Sequence, residues 1–185
     1  GATPIFVDVY ESTYNIDCEK LEIEINRIVN EGKLQPKAII PVDLFGLPAR
    51  YRLIDKIANK YNLKVIEDAA QSFGGSIRDK KVGSFGDVAA TSFYPAKPLG
   101  CYGDGGAIFT NNDALAEECR AIRIHGTKKD KYNSEMIGLN GRLDSIQAAV
   151  LLEKLTILDD ELDKRIKVDS YYRKHLNNAQ YHPKK

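Results

Sequence analysis

Three short stretches carry side chains able to do acid, base or nucleophilic work. The first is Val65-Ile66-Glu67-Asp68-Ala69-Ala70-Gln71, with two adjacent carboxylates followed by small residues. If the run before them is a strand, successive side chains face opposite ways, so only one carboxylate can enter a given site. An Asp at that place also suits a cap on the segment that follows. The second is Ser92-Phe93-Tyr94-Pro95-Ala96-Lys97-Pro98-Leu99-Gly100, where Lys97 sits between two prolines. Proline fixes its own φ and turns the preceding residue away from helix, so the backbone carrying this amine is stiffened. A solvated lysine needs no such bracing, although most lysines are exposed, and an exposed loop position stays open. The third is Gly100-Cys101-Tyr102-Gly103-Asp104-Gly105-Gly106, which has neither the Gly-Lys-Ser/Thr ending of a phosphate loop nor GxGxxG spacing. Asp104-Gly105 predicts a tight turn between two strands. Cys101 reads as a small packing residue, since no His pairs with it in a recognisable motif.

Such residues work only if rigid elements hold them. Apolar runs rich in β-branched residues at 4–9, 37–42, 63–67, 88–93 and 107–110 are short enough for buried strands. Between the first three, Leu21, Ile25, Ile28 and Val29, and then Leu53, Ile54, Ile57, Ala58 and Tyr61, repeat at helical spacing. The alternation predicts an α/β fold with a mainly parallel sheet, whose ligands bind beyond the carboxyl ends of the strands. All three stretches fall at or after such ends. Further on, Asn111 or Asn112 caps a helix carrying Leu115, Cys119 and Ile122, and residues 125–133 read as a loop. From Arg142 a long helical pattern with dense charge on one face runs to Ile166 and on towards Leu176, while residues 181–185 read as a frayed or cut end.

The chain has 185 residues, 43% of them hydrophobic, with 27 Lys+Arg against 26 Asp+Glu. A net charge of +1 gives no electrostatic reason to expect nucleic acid or an anionic membrane as partner, which leaves small molecules. Cys18, Cys101 and Cys119 are odd in number, far apart and without zinc-site spacing, which fits a reducing cytoplasm. No apolar stretch approaches the roughly 18 residues a membrane span needs, and no signal-like start is present. Opening on Gly1 and entering a strand-like run at once, the chain reads as a fragment.

Taken in order, Glu67-Asp68-Ala69-Ala70-Gln71, Ser92-Phe93-Tyr94-Pro95-Ala96-Lys97, Gly103-Asp104-Gly105-Gly106-Ala107 and Gly138-Leu139-Asn140-Gly141-Arg142-Leu143-Asp144 with Gln147-Ala148-Ala149 closely resemble the DegT/DnrJ/EryC1/StrS family of nucleotide-sugar aminotransferases, which depend on pyridoxal 5'-phosphate (PLP). The resemblance covers nearly the whole chain. It implies that residues 1–142 are part of a three-layer PLP-transferase-like large domain, and that 143–185 hold a long helix and the start of a truncated small domain that is mostly absent. Lys97 matches the lysine that links covalently to PLP and then moves the substrate proton. Asp68 matches the acid that keeps the pyridine nitrogen protonated, so the ring can accept electrons. Gln71 matches the residue near the 3′-oxygen, Ser92 a hydroxyl donor to the phosphate, and Asn140 the amide that reaches the phosphate of a neighbouring subunit's cofactor.

The expected protein is thus a cytoplasmic homodimer with shared sites. It moves an amino group, from glutamate, to a keto position, the 3-position by its Gly138–Asp144 motif, of a nucleotide-linked sugar in polysaccharide or glycan biosynthesis. The roles of His125 and Arg142 stay open, with a loop or interface place favoured for His125. Sugar dehydratases of the family carry histidine in place of the lysine, and residue 97 is Lys. A regulatory or assembly fragment would not need Asp68, Ser92 and Lys97 together. Family members are longer, and the resemblance implies that a phosphate-binding turn and a ring-stacking aromatic lie upstream.

Overall fold

The computed structural model describes residues 1–128 and 133–176, and its first helix begins where the sequence supplies a cap. Asp17 accepts hydrogen bonds from the amides of Glu19 and Lys20 at 2.9 and 3.2 Å and opens α1 (Cys18–Glu31), which ends at Gly32 in the left-handed conformation. There follow β1 (Ala38–Ile39), a single 3₁₀ turn at Leu44–Gly46, α2 (Tyr51–Tyr61), β2 (Lys64–Asp68), the small hairpin β3 (Ser76–Ile77) and β4 (Lys80–Lys81), and β5 (Val88–Ser92). β6 (Gly106–Phe109), α3 (Asp113–Arg123), α4 (Ser145–Leu155) and α5 (Leu158–His175) complete the described chain.

The main sheet has the order β1-β2-β5-β6, with β1, β2 and β5 parallel and β6 antiparallel to β5. It is the mainly parallel α/β arrangement expected. α1 and α2 bury Leu21, Ile25, Ile54, Ile57 and Ala58 against Ile39, Val65 and Phe85. A second buried cluster joins Phe93, Leu99 and Cys101 to Leu151 of α4 and Leu158 of α5. The loop after β5 is therefore packed against helices from far along the chain.

Four expectations change. The apolar run 4–9 forms no strand: it has one isolated bridge, Val9 to Ile16, and leaves Phe6 90% exposed. A strand needs a neighbour for its amides and carbonyls, and here Tyr10 and Asp17 bond instead within their own turn, to Asn15 and Asp8. The strand expected at 37–42 shortens to Ala38–Ile39, because Pro41 brings no N–H to the ladder, although Val42 still bridges Asp68. Asp104-Gly105 is not a tight hairpin turn. β5 and β6 do pair, but across the long connection 93–105, and Gly105 serves close packing: a Cβ there would stand 2.9 Å from Leu143 and 3.1 Å from the Cys101 sulfur.

The long helix is two helices, broken at Thr156 and Ile157. Asp159, Asp160 and Glu161 place three carboxylates in the first turn of α5, which favours a fresh N-terminus at that point. Asn112, rather than Asn111, caps α3, accepting from Leu115 at 3.1 Å. The expected loop at 125–133 falls partly outside the described residues, and the end at 181–185 wholly so.

Candidate active site

The parallel strands end together. Asp68 closes β2, pairs with Ala90 on β5, donates its amide to Pro41 O at 2.9 Å and receives the Asp43 amide on its carbonyl at 3.0 Å. Its side chain is half-buried and accepts from the Ala70 amide at 3.1 Å, so the local turn role expected of an Asp is present. Glu67 points the other way and is wholly buried, as strand alternation requires.

Gln71 lies in the turn after β2, and its Oε1 accepts from the Phe45 amide at 2.8 Å. Ser92 ends β5 two residues past the partner of Asp68, with its Oγ accepting from the Tyr94 amide at 3.2 Å. Lys97 follows in a turn closed by its own amide on Tyr94 O at 2.9 Å, and its half-buried side chain has no hydrogen-bond or ion-pair partner among the described residues. Asp68, Gln71, Ser92 and Lys97 thus share the carboxyl end of the sheet, where ligands of open α/β sheets bind. Asn140 does not join them: it is exposed, bridges Ile124 at the end of α3, and accepts from Arg142 Nε at 2.9 Å. His125, with φ 57°, donates its amide to Leu139 O beside that bridge.

The lysine turn is held from both sides. At Gly100 a Cβ would stand 2.5 Å from Pro95 O and 2.7 Å from Tyr94 O, so only glycine lets the turn fold back on itself. Two residues of α4 brace it, Lys154, which sequence reading missed, and Gln147, to which it gave no role: Lys154 Nζ donates to Gly100 O at 2.5 Å, and Gln147 Oε1 accepts from the Tyr102 amide at 2.8 Å. Cys101 is fully buried, with its sulfur against Phe93 O and Gly103 O, which is the packing role expected.

Behind Asp68, on the Glu67 side, lies a second group with no local sequence signal. Asp43 and Glu67 are buried together with Tyr51 and Ser72. Burial pushes the Glu67 carboxyl up to about 7, with the neighbouring Asp43 adding to it against the amides of Gly83 and Phe85, and burial also raises Asp43. Phe45, the donor to Gln71, is 69% exposed in the left-handed region at φ 57°, a conformation that a bulky residue rarely keeps outside functional sites.

A groove of about 1050 Å³ opens elsewhere, between β5, β6 and α3, lined by Phe85, Ile108, Phe109, Ile122 and Leu139 among others. None of the five candidate residues lines it. Its wall is largely apolar and holds no lysine, so the convergent polar groups at the strand ends weigh more than cavity size. A carboxylate, an amide, a hydroxyl and an amine on a stiffened turn are groups that fit an aldehyde-bearing phosphorylated pyridine such as PLP.

Comparison with known proteins gives the same direction. Residues 1–184 match the DegT/DnrJ/EryC1/StrS aminotransferase family. The UDP-2-acetamido-2-deoxy-3-oxo-D-glucuronate aminotransferase of Pseudomonas aeruginosa is 49% identical over 93% of this chain and 46% of its own length. A solved DegT DnrJ EryC1 StrS aminotransferase from Brucella abortus superposes with a TM-score of 0.97 at 53% identity, covering all of this chain and 50% of that one. NtdA from Bacillus subtilis, solved with bound cofactor PMP, has a TM-score of 0.83 at 35% identity over 96% of this chain and 39% of its own. The chain spans about half the length of these relatives. It belongs to the DegT/DnrJ/EryC1/StrS aminotransferase family.

Proposed function

We propose, with that membership as premise, that this chain forms the cofactor-binding part of a PLP-dependent aminotransferase that places an amino group on a nucleotide-linked keto sugar. The observation that carries the reading is the gathering of Asp68, Ser92 and Lys97 at the ends of paired strands, with the lysine turn braced from α4. When bound, PLP supplies an electron-accepting ring for the bond broken at the amine-bearing carbon. Asp68, ionised, keeps a proton on the ring nitrogen. Lys97 Nζ would carry the proton released from the amine-bearing carbon of the donor, and Ser92 Oγ and the Gln71 side chain would hold the phosphate and the 3′-oxygen of the bound group.

The sugar carries its keto group at the 3-position in this reading, supported by the 3-oxo sugar named for the P. aeruginosa relative, and glutamate donates the amine. The product feeds surface polysaccharide or glycan assembly. The enzyme is a cytoplasmic homodimer, with Asn140 of each chain completing the partner's phosphate site; no helix among the described residues is long and apolar enough to cross a membrane. Residues 1–142 are part of the large domain, and α4 and α5 lead from their packing against it towards a small domain. The test is direct. The protein at its full natural length is titrated with PLP and given glutamate and a UDP-linked 3-keto sugar; amino sugar detected by mass spectrometry supports the reading, and a colourless protein that makes none refutes it.

A further inference from the structure

Asp43 and Glu67 are both wholly out of solvent and are neighbours: the Tyr51 ring, whose hydroxyl bonds Asp43, stacks at 4.4 Å on Phe85, whose amide bonds Glu67, and each carboxyl acts on the other's titration. Asp43 Oδ1 accepts from the Ala49 amide and the Tyr51 hydroxyl, each at 2.8 Å, and Oδ2 from the Ser72 hydroxyl at 3.1 Å. Glu67 accepts from the amides of Gly83 at 2.7 Å and Phe85 at 2.8 Å. Every one of these donors is neutral, and neither carboxyl forms an ion pair among the described residues. Two neighbouring carboxylates out of water, with no cation bonded to either, do not both stay ionised.

We propose that Asp43 and Glu67 share one proton, held on Glu67 and donated to Asp43, and that this link makes them positioning residues for Asp68 and Gln71. The proposal rests on reading Asp68 and Gln71 as cofactor-binding residues. Asp43 is the better-supplied acceptor, taking two hydroxyls besides an amide, so the charge resides there and the proton on Glu67. The raised titration of Glu67 agrees with this. The groups facing the pair are the Tyr51 hydroxyl from α2, whose own titration burial and Asp43 drive far upward so that it remains a donor, and Asp68 across β2. Behind Phe85 stands Lys80 of β4, whose Nζ lies over that ring 4.7 Å from its centre.

From this pair the restraint reaches the site by short steps. Glu67 shares a peptide bond with Asp68, so fixing Glu67 to the 83–85 loop on one side of β2 sets the Asp68 side chain on the other. The Asp43 amide holds the Asp68 carbonyl. Ser72, bound to Asp43, is the neighbour of Gln71, and Gln71 in turn accepts from Phe45, two residues beyond Asp43. Loss of the proton would set two negative charges against each other beneath both cofactor contacts.

The test uses the protein at its full natural length. Without cofactor, infrared difference spectra should show a protonated carboxylic-acid carbonyl band that fades as pH rises through about 7, and that is missing from Glu67→Gln and displaced in Asp43→Asn. Absence of such a band at pH 6, or a band indifferent to both substitutions, overturns the shared proton. PLP affinity is then measured by absorbance titration from pH 6 to 8.5. Relative to Glu67→Gln, wild type should lose about tenfold in affinity across that range, in line with the effect of outer-shell partners on a bound group; a constant ratio overturns the positioning role. If wild type shows the acid band but binds no PLP, the cofactor reading fails and the shared proton stands, so the two ideas fail separately.

Discussion

Lys154 and Gly100 stand far apart in the chain, yet the Lys154 ammonium donates to the Gly100 carbonyl at 2.5 Å. That bond ties α4 to the turn carrying Lys97. Hydrogen bonds to charged groups contribute about 1.5–3 kcal/mol. Lys154→Met, which keeps the apolar stem, should lower stability by about 1–2 kcal/mol in urea denaturation and slow loading of PLP. An unchanged midpoint would show the bond contributes nothing.

Lys97 should be the sole site of covalent labelling when the PLP-loaded protein is reduced with borohydride. Peptide mass mapping that places the label on Lys80 or Lys81 would defeat the assignment. Lys97→Ala should end transamination yet keep the fold, because removing this half-buried loop side chain opens no core cavity.

Asp68→Asn keeps shape and removes charge. The local acceptor role towards Ala70 survives in an amide oxygen, so the fold should hold. Turnover should drop by orders of magnitude, about 4 kcal/mol or more in activation free energy, with PLP affinity less affected. Near-normal kcat would reduce Asp68 to a turn residue.

Stability should fall with rising pH on the acid side of neutrality, through Glu67. Its folded value, about 7, lies above its ordinary 4.5, so the folded state binds the proton more tightly. The contribution is fully present below pH 4.5 and is gone above about 7, on the order of 3 kcal/mol for that shift. Asp43, also raised, acts in the same direction. Glu67→Gln should flatten this part of the profile in denaturation at pH 5 and 7.5, and an equally steep profile in the variant would place the linkage elsewhere.

Mixed dimers should test the exposed position of Asn140. Lys97→Ala and Asn140→Ala proteins, each inactive, are refolded together at full natural length. With sites shared across a two-fold axis, one site of the mixed dimer carries both lesions and the other neither, so activity returns. If verified mixed dimers stay silent, Asn140 serves its own chain.

The alternation at Glu67 and Asp68, the cap at Asn112 and the helical faces of α1 and α2 were legible because each depends on residues a few positions apart. The paired carboxylates and the proline-bracketed lysine stood out for the same reason, each following a strand that its own apolar run announces, whereas Gln71 and Ser92 were marked only by the family resemblance. What was hidden is long-range. Asp43 meets Ser72 across 29 positions, Gln147 meets Tyr102 across 45 and Lys154 meets Gly100 across 54, and no local spacing marks such partners. The run at 4–9 misled because β-branched composition describes a surface fit for pairing, while pairing itself needs a neighbour. The acidic triplet at 159–161 did announce the second helix start, but continuous apolar spacing masked it.

The step at Thr156 and Ile157 divides a fastened helix from one that is anchored only at its start. α4 is fastened to the lysine turn through Gln147 and Lys154, whereas α5 is buried only near its start, through Leu158, with Leu162 against Gly74. Beyond that the helix is solvent-facing, with Ile166, Val168, Tyr171 and Tyr172 exposed among its charged residues. The start of α5 shares a buried cluster with Leu99 beside the lysine turn, while its far end touches nothing there among the described residues, so the turn draws its support from the first half of this helical stretch alone.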